Sequence, residues 1–337
     1  MRIVLISPFS QGPIRGNQTT VDRIALHLTR ADVDVTIRAA DSSVVTEPDH
    51  SAAPPTLLHA FHAYHSGALA RRLAHHYAIP YLVTITGSDL FDPAFRDHPL
   101  TRAVLQDAAA ITCFDQVVAD QLQAQFQDCT DKLAIIPQGV SVPRQDETPV
   151  ARPADALVVL LPAALRPAKG ILEAIEGLIP LATGGLPLQL WLVGGDLDPT
   201  YAASVRQQCK LHDWIIPWGE IPHTQMGGYY AASDLVLNSS HFEGGMANSL
   251  LEAMARGKAV LASDVPGNRS LILHNHTGLL YHTAQELREH LQTLTRQPEL
   301  RSRLGQAARK LVVERFSPEL EACALTQLYH RINTQRT

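Results

Sequence analysis

Short aliphatic and β-branched runs alternate with amphipathic stretches from one end of this 337-residue chain to the other. In the first half the runs are Ile3–Ser7, Val33–Arg38, Leu57–Phe61, Tyr81–Ile85, Ala110–Cys113 and Leu133–Pro137. In the second they are Leu157–Leu161, Leu188–Val193, Trp214–Pro217, Leu235–Asn238, Ala259–Ala262 and Leu279–Tyr281. Runs this short and this apolar read as strands buried on both faces. The stretches between them carry a helical period. In Asn17–Arg30, for instance, Val21, Ile24, Ala25 and Leu28 recur at i, i+3, i+4 and i+7. Two-faced strands joined by helical crossovers leave one economical solution, a doubly wound parallel sheet.

The alternation breaks once. Ser141–Pro153 is polar and contains Pro143, Pro149 and Pro153, so it can continue neither a helix nor a central strand. A linker there gives an α/β chain of two facing Rossmann-like domains, residues 1–148 and 149–314, with a cleft between them. The final helical stretch, 315–337, is long enough to cross back to the first domain. Ligand is expected in the crevice at the carboxyl ends of the strands. The 28 Lys and Arg residues face 33 Asp and Glu, a formal charge of −5 that argues against nucleic acid as partner. Only Lys132, Lys169, Lys210, Lys258 and Lys310 are lysines, so each invites a reason. Cys113, Cys129, Cys209 and Cys323 lie far apart without a CxxC pair, which fits a reducing compartment and no zinc site. The first apolar run is too short for a signal peptide, and none reaches the ~18 residues of a membrane span. A cytoplasmic protein without an integral membrane segment is expected.

Asn238–Gly257 is the most informative run. A strand ends in a polar, glycine-containing turn, which opens a helix that closes at Gly257. Gly244 and Gly245 lack a Cβ, so backbone N–H groups can approach an anion at the helix N-terminus. Ala247, Leu250, Leu251 and Met254 form the stripe to be buried, while Asn248 and Glu252 lie opposite, one turn apart. A carboxylate there can accept two hydrogen bonds from a ribose diol. The same residues also describe a capped helix with a solvated Glu252.

This run resembles the signature of retaining glycosyltransferases of family 4, which have the GT-B fold. The resemblance implies that Glu243 lies near the donor sugar hydroxyls and that Glu252 binds the nucleotide ribose. Gly244, Gly245, Met246, Ala247 and Asn248 would then face the donor. The family spaces its two glutamates by seven residues; eight stand here, and the second glycine reads as an insertion. Leu165–Gly170 resembles the family's Arg…Lys-Gly element. An arginine can fork onto phosphate oxygens and a lysine adds a mobile point charge, so Arg166 and Lys169 would hold the diphosphate. With Glu243 they form the implied catalytic set. Gly194-Gly195 and Trp218–Pro222, which includes Ile221, resemble the base-binding loops. Pro137–Val140 and Asp264–Asn268 fall where the family has its other turns.

The first half points to the acceptor. Gly16 and Asn17 open the first helix and can offer N–H groups to an anion, or simply cap the helix. Thr86 stands where many family members have a histidine, and Asp89 can either orient a hydroxyl or cap a helix. His59, His62 and His65 do not share a face suited to one zinc ion. His62 is expected to line an acceptor pocket, and no metal ligand set or DxD motif is visible. These features are similar to the subgroup of glycosyltransferase 1 domain-containing proteins and selenosugar synthases. The resemblance implies front-face transfer of a hexosyl or N-acetylhexosaminyl group from a nucleotide diphosphate sugar (UDP-sugar favoured) to a small-molecule acceptor, with no cofactor. Three alternatives stay open: transfer to a selenium or sulfur nucleophile, a GT-B epimerase or phosphorylase, and a non-catalytic nucleotide-sugar-binding protein. A dehydrogenase is disfavoured, because the first strand leads to Gly12-Pro13-Ile14-Arg15-Gly16 and not to GxGxxG.

Overall fold

The structure is a computed structural model that describes residues 1–9, 16–41, 54–143 and 147–335. Gly12–Arg15 of the first loop and Arg144–Asp146 of the linker therefore lie outside the described residues. The chain divides into two units, Met1–Gly139 with Phe316–Thr337, and Val140–Arg315.

In the first unit β1 (Arg2–Ser7), β2 (Asp34–Ala39), β3 (Leu57–Phe61), β4 (Tyr81–Thr84), β5 (Ala110–Cys113) and β6 (Leu133–Ile135) form one sheet. Its order is β2-β1-β3-β4-β5-β6 and every pairing is parallel. In the second unit β7 (Leu157–Pro162), β8 (Leu188–Val193), β9 (Ile215–Gly219), β10 (Leu235–Asn238), β11 (Ala259–Ser263) and β12 (Leu279–Tyr281) are also all parallel. Their order is β12-β11-β10-β7-β8-β9. Each apolar run is thus a strand. Burial on both faces holds for the inner strands and fails at an edge: Ile37 of β2, the edge strand, is 46% exposed.

Each helix face matches its sheet. Ile171, Ile175 and Leu178 of the helix Ile171–Thr183 pack on Val159, Leu161, Leu190 and Leu261. Fully burying one such side chain contributes about 1.5–3 kcal/mol. The helix Gly16–Arg30 buries Val21, Ile24 and Leu28, with Ala25 half-buried. The helix Pro318–Thr334 joins the same cluster through Ala322, Leu325, Leu328, Tyr329 and Ile332. Its start is well defined: Ser317 caps the Leu320 N–H, and Pro318 supplies the fixed φ of a first turn. Arg23 forks onto both Glu321 oxygens at 3.2 Å, and the Tyr329 hydroxyl meets His59 Nδ1 at 2.7 Å.

The division between units falls at Gly139/Val140, earlier than the 148/149 boundary drawn from the sequence. The reason is hydrogen bonding. The Val150 N–H donates to the Gly228 carbonyl, Arg152 pairs with Asp234, and Glu147 pairs with Arg256, so this polar segment belongs to the second unit. The second change of unit is at Arg315/Phe316. No helix among the described residues is long and apolar enough to cross a membrane.

Strand order reverses once in each sheet, between β1 and β3 in the first and between β7 and β10 in the second. Loops leaving the carboxyl ends of two such strands run in opposite directions and open a crevice. In the second unit those loops hold Lys169 and Glu243. In the first, the loop after β3 holds His62.

Candidate active site

The loop leaving β7 is tied down before it carries any chemistry. The Leu165 N–H donates to the Gly195 carbonyl, and a short 3-10 turn spans Pro167–Lys169. Gly170 then takes φ +56°, where a Cβ would be strained and would collide with the Ser239 carbonyl oxygen. That close approach lets the loops after β7 and β10 join: the Ser239 hydroxyl donates to the Lys169 carbonyl at 2.8 Å, and the His241 N–H donates to the Ala168 carbonyl at 3.0 Å.

The result is an ion pair at the switch point. Lys169 Nζ lies 2.6 Å from Glu243 Oε1, with the two side chains 17% and 11% exposed. The same oxygen accepts from Asn238 Nδ2 at 3.0 Å and from the Ser240 hydroxyl at 2.6 Å. Burial alone would raise the carboxyl pKa, but the Lys169 ammonium, Ser240 and Asn238 outweigh it and hold Glu243 below the ordinary carboxylate range. Glu243 is therefore a fixed anion. Among the described residues no hydrogen bond occupies Oε2.

Past Glu243 the turn runs through Gly244 and through Gly245 at φ +154° to Met246 and Ala247, and the helix Asn248–Ala255 begins. Ala247 makes no side-chain cap hydrogen bond at this helix end, which carries the positive pole of the helix dipole. Leu250, Leu251 and Met254 are buried, with Ala247, as the period requires. Asn248 and Glu252 are half-buried. Glu252 is not a solvated carboxylate, however. It is 13% exposed, its Oε2 accepts from the Tyr230 hydroxyl at 2.9 Å, and its Oε1 lies 2.8 Å from His223 Nε2.

The remaining donor-side residues divide. Arg166 is exposed, and its guanidinium makes no ion pair or hydrogen bond among the described residues, so it does not join Lys169 and Glu243 in the pair. The Gly194 N–H donates to the Gly219 carbonyl at 2.8 Å, which fastens the loops after β8 and β9 together. Ile221 is half-buried in the second of these loops.

In the first unit several candidates are engaged in holding backbone. Asp89 is buried and accepts the N–H groups of Ala63 (2.9 Å), Gly87 (2.8 Å) and Thr86 (3.1 Å). Its carboxylate spends its acceptor capacity on the loop and not on an open pocket. His62 is also buried: Nδ1 accepts from the His65 N–H at 3.1 Å, and Nε2 lies 3.0 Å from the Ser88 hydroxyl. Burial lowers its pKa against the pull of Asp89. Gly16 begins the first helix, and Asn17 Nδ2 donates to the Thr86 hydroxyl at 3.1 Å. Both nitrogens of His59 are taken, by Tyr329 and Thr84.

Sequence reasoning missed Tyr230 and His223, the partners of Glu252. They come from the segment after β9, and no spacing relates them to the helix at 248. Asn238 and Ser240 were within the informative run; an amide and a hydroxyl just ahead of a carboxylate were the available signal.

Comparisons with known proteins bear on the family and the fold. The family described as Glycosyl transferases group 1 matches residues 144–311. The chain is 27% identical over 329 residues to glycosyltransferase 1 domain-containing protein 1 of Xenopus tropicalis, with 91% of each covered. Among solved structures it is similar to sucrose-phosphate synthase from Thermosynechococcus elongatus, with TM-score 0.81, 21% identity and 99% of each chain covered. It is also similar to Anabaena HepE in complex with UDP-glucose, with TM-score 0.77 and 17% identity, covering 98% of this chain and 100% of that one. Residues 144–311 are thus a glycosyl transferases group 1 domain, in a chain whose fold is that of the GT-B structures.

Proposed function

We propose that this glycosyltransferase moves a hexosyl or N-acetylhexosaminyl group from a UDP-sugar to a small-molecule acceptor, with retention at the anomeric carbon and without a metal. The observation that carries the reading is the Lys169–Glu243 pair at the switch point of the second sheet. Lys169 is a cation already drawn to the place where a diphosphate would sit, and Arg166 stands beside it with its fork unused. In the donor complex the diphosphate competes with Glu243 for the Lys169 ammonium, while Glu243 turns its open oxygen to sugar hydroxyls. Glu252 accepts the ribose hydroxyls. The bond from C1 to the phosphate oxygen breaks, the diphosphate keeps the electron pair, and the acceptor oxygen bonds to C1 on the same face. The acceptor proton passes to the departing phosphate. Fixed cations stabilise that developing charge, and removing one such group typically costs about 10²–10³ in kcat. UDP is favoured as the carrier because HepE, a neighbour in fold, is seen with UDP-glucose.

Lys169→Ala is expected to lower kcat by about that factor, and Glu252→Ala to raise donor KM steeply. NMR of the product is expected to show the donor's anomeric configuration preserved, and EDTA to leave the rate unchanged. Normal turnover by both variants would refute the residue roles. An inverted product would refute retention, and inhibition by EDTA reversed by Mn²⁺ would refute the metal-free route.

A further inference from the structure

Glu252, which the reading above places on the ribose, has an electrostatic difficulty one turn further along its helix. Arg256 stands at i+4, a spacing at which Glu and Arg side chains meet on a helix face. Its side chain is only 15% exposed. Each carboxylate oxygen accepts about two hydrogen bonds. Tyr230 and His223 each use one of those on Glu252, so a ribose diol needs what remains. An arginine fork would consume it.

Arg256 is held elsewhere. Its Nε donates to Glu147 Oε2 at 2.9 Å and its Nη2 to Glu147 Oε1 at 2.5 Å. Its Nη1 donates to the main-chain carbonyl of Glu252 at 3.1 Å, and its Cζ lies 4.8 Å from the centroid of the Tyr230 ring. The Tyr230 hydroxyl on the far side of that contact donates to Glu252. Glu147 itself is seated against Gly227, where a Cβ would collide with its carboxylate, and the strand of chain after it is fixed by the Val150 bond to Gly228. Burial, and then Glu252, push the Tyr230 phenol well up, so it stays a donor.

We propose that Glu147 is a positioning residue for nucleotide binding: it holds the Arg256 guanidinium in a fork, keeps that cation off the Glu252 carboxylate, and so leaves Glu252 able to accept the ribose hydroxyls of a nucleoside diphosphate. The inference rests on the ribose role of Glu252. A mostly buried guanidinium without a counter-charge is costly, so Arg256 deprived of Glu147 turns to the carboxylate of Glu252, whose main-chain carbonyl it already holds.

The test uses the full chain and calorimetric titration with UDP, GDP and ADP, taking as probe the diphosphate that the unaltered chain binds most tightly. Glu147→Gln is expected to raise its Kd about tenfold, the worth of a charge-assisted hydrogen bond, with donor KM rising in step and kcat within about twofold. Glu147→Asp, which keeps the charge, is expected to retain most of the affinity. The decisive variant is Glu147→Gln combined with Arg256→Leu, which removes the competing cation as well. Its Kd is expected to return to that of Arg256→Leu alone, a non-additivity that a purely supporting role for Glu147 does not produce. A double variant that binds no better than Glu147→Gln, or an unchanged Kd in Glu147→Gln, would overturn the proposal. Glu252→Gln separates the two readings. If it weakens binding and Glu147→Gln does not, only this inference fails. If Glu252→Gln leaves Kd unchanged, or the unaltered chain binds none of the three diphosphates, the ribose assignment fails and this inference with it.

Discussion

Single side chains in this protein are decided by what their polar atoms already hold. His59 is the clearest case away from the Lys169–Glu243 pair: fully buried, with Tyr329 on one nitrogen and Thr84 on the other, it has a pKa lowered by burial to about 3. The folded-state value lies below the ordinary 6.5, so the stability His59 contributes is present above pH 6.5 and is lost as pH falls toward 3. Within that window it is expected to account for up to about 1.4 kcal/mol per pH unit. Urea unfolding at intervals from pH 7 to pH 4 should therefore show a shallower decline in His59→Gln than in the unaltered chain; parallel declines would refute the assignment. The same accounting explains which site residues the sequence exposed. Lys169 and Glu243 were legible because each lies just past a recognisable strand and the topology does the rest. The backbone N–H groups that Asp89 accepts, and the one that His62 accepts, come from loops that nothing in one dimension relates to them. Glu252 lay between these cases: its helix face was predictable, but Tyr230 and His223 were not, since they reach it from another element.

At the level of elements, the strands were readable because each inner strand is buried on both faces, which makes a continuous apolar run. The helices were readable because one face alone is buried. β2 shows the limit: Asp34, Thr36 and Arg38 alternate with apolar residues there, and Ile37 stands in the open at the sheet edge. The polar segment before β7 shows another: proline content marks a break in regular structure, but which unit holds the segment depends on hydrogen bonds such as Val150 to Gly228. The junction of the loops after β7 and β10 is the element-level feature with the most chemical consequence. Gly170→Ala adds roughly 1–2 kcal/mol of backbone strain at positive φ and forces the Lys169 loop away from Ser239. The expected outcome is a loss of transfer activity at least tenfold with the circular dichroism of the α/β fold retained. Full activity in that variant would show that the two loops need not touch for catalysis.

For the molecule as a whole, the first unit is discontinuous: Met1–Gly139 is completed by Phe316–Thr337. Ending the chain after Arg315 uncovers Val21, Ile24 and Leu28 and leaves His59 and Arg23 without Tyr329 and Glu321. Hydrogen exchange in that truncated chain is expected to accelerate across 16–30 and 57–61 while 157–315 keeps its protection. Uniform acceleration in both units would mean that they do not fold independently. The discontinuity also sets an order of events during synthesis. The ribosome releases every residue of the second unit before it releases the helix Pro318–Thr334, so the second unit has all of its parts first. Until that helix emerges, Val21, Ile24 and Leu28 of the nascent chain lack the apolar residues that complete their cluster.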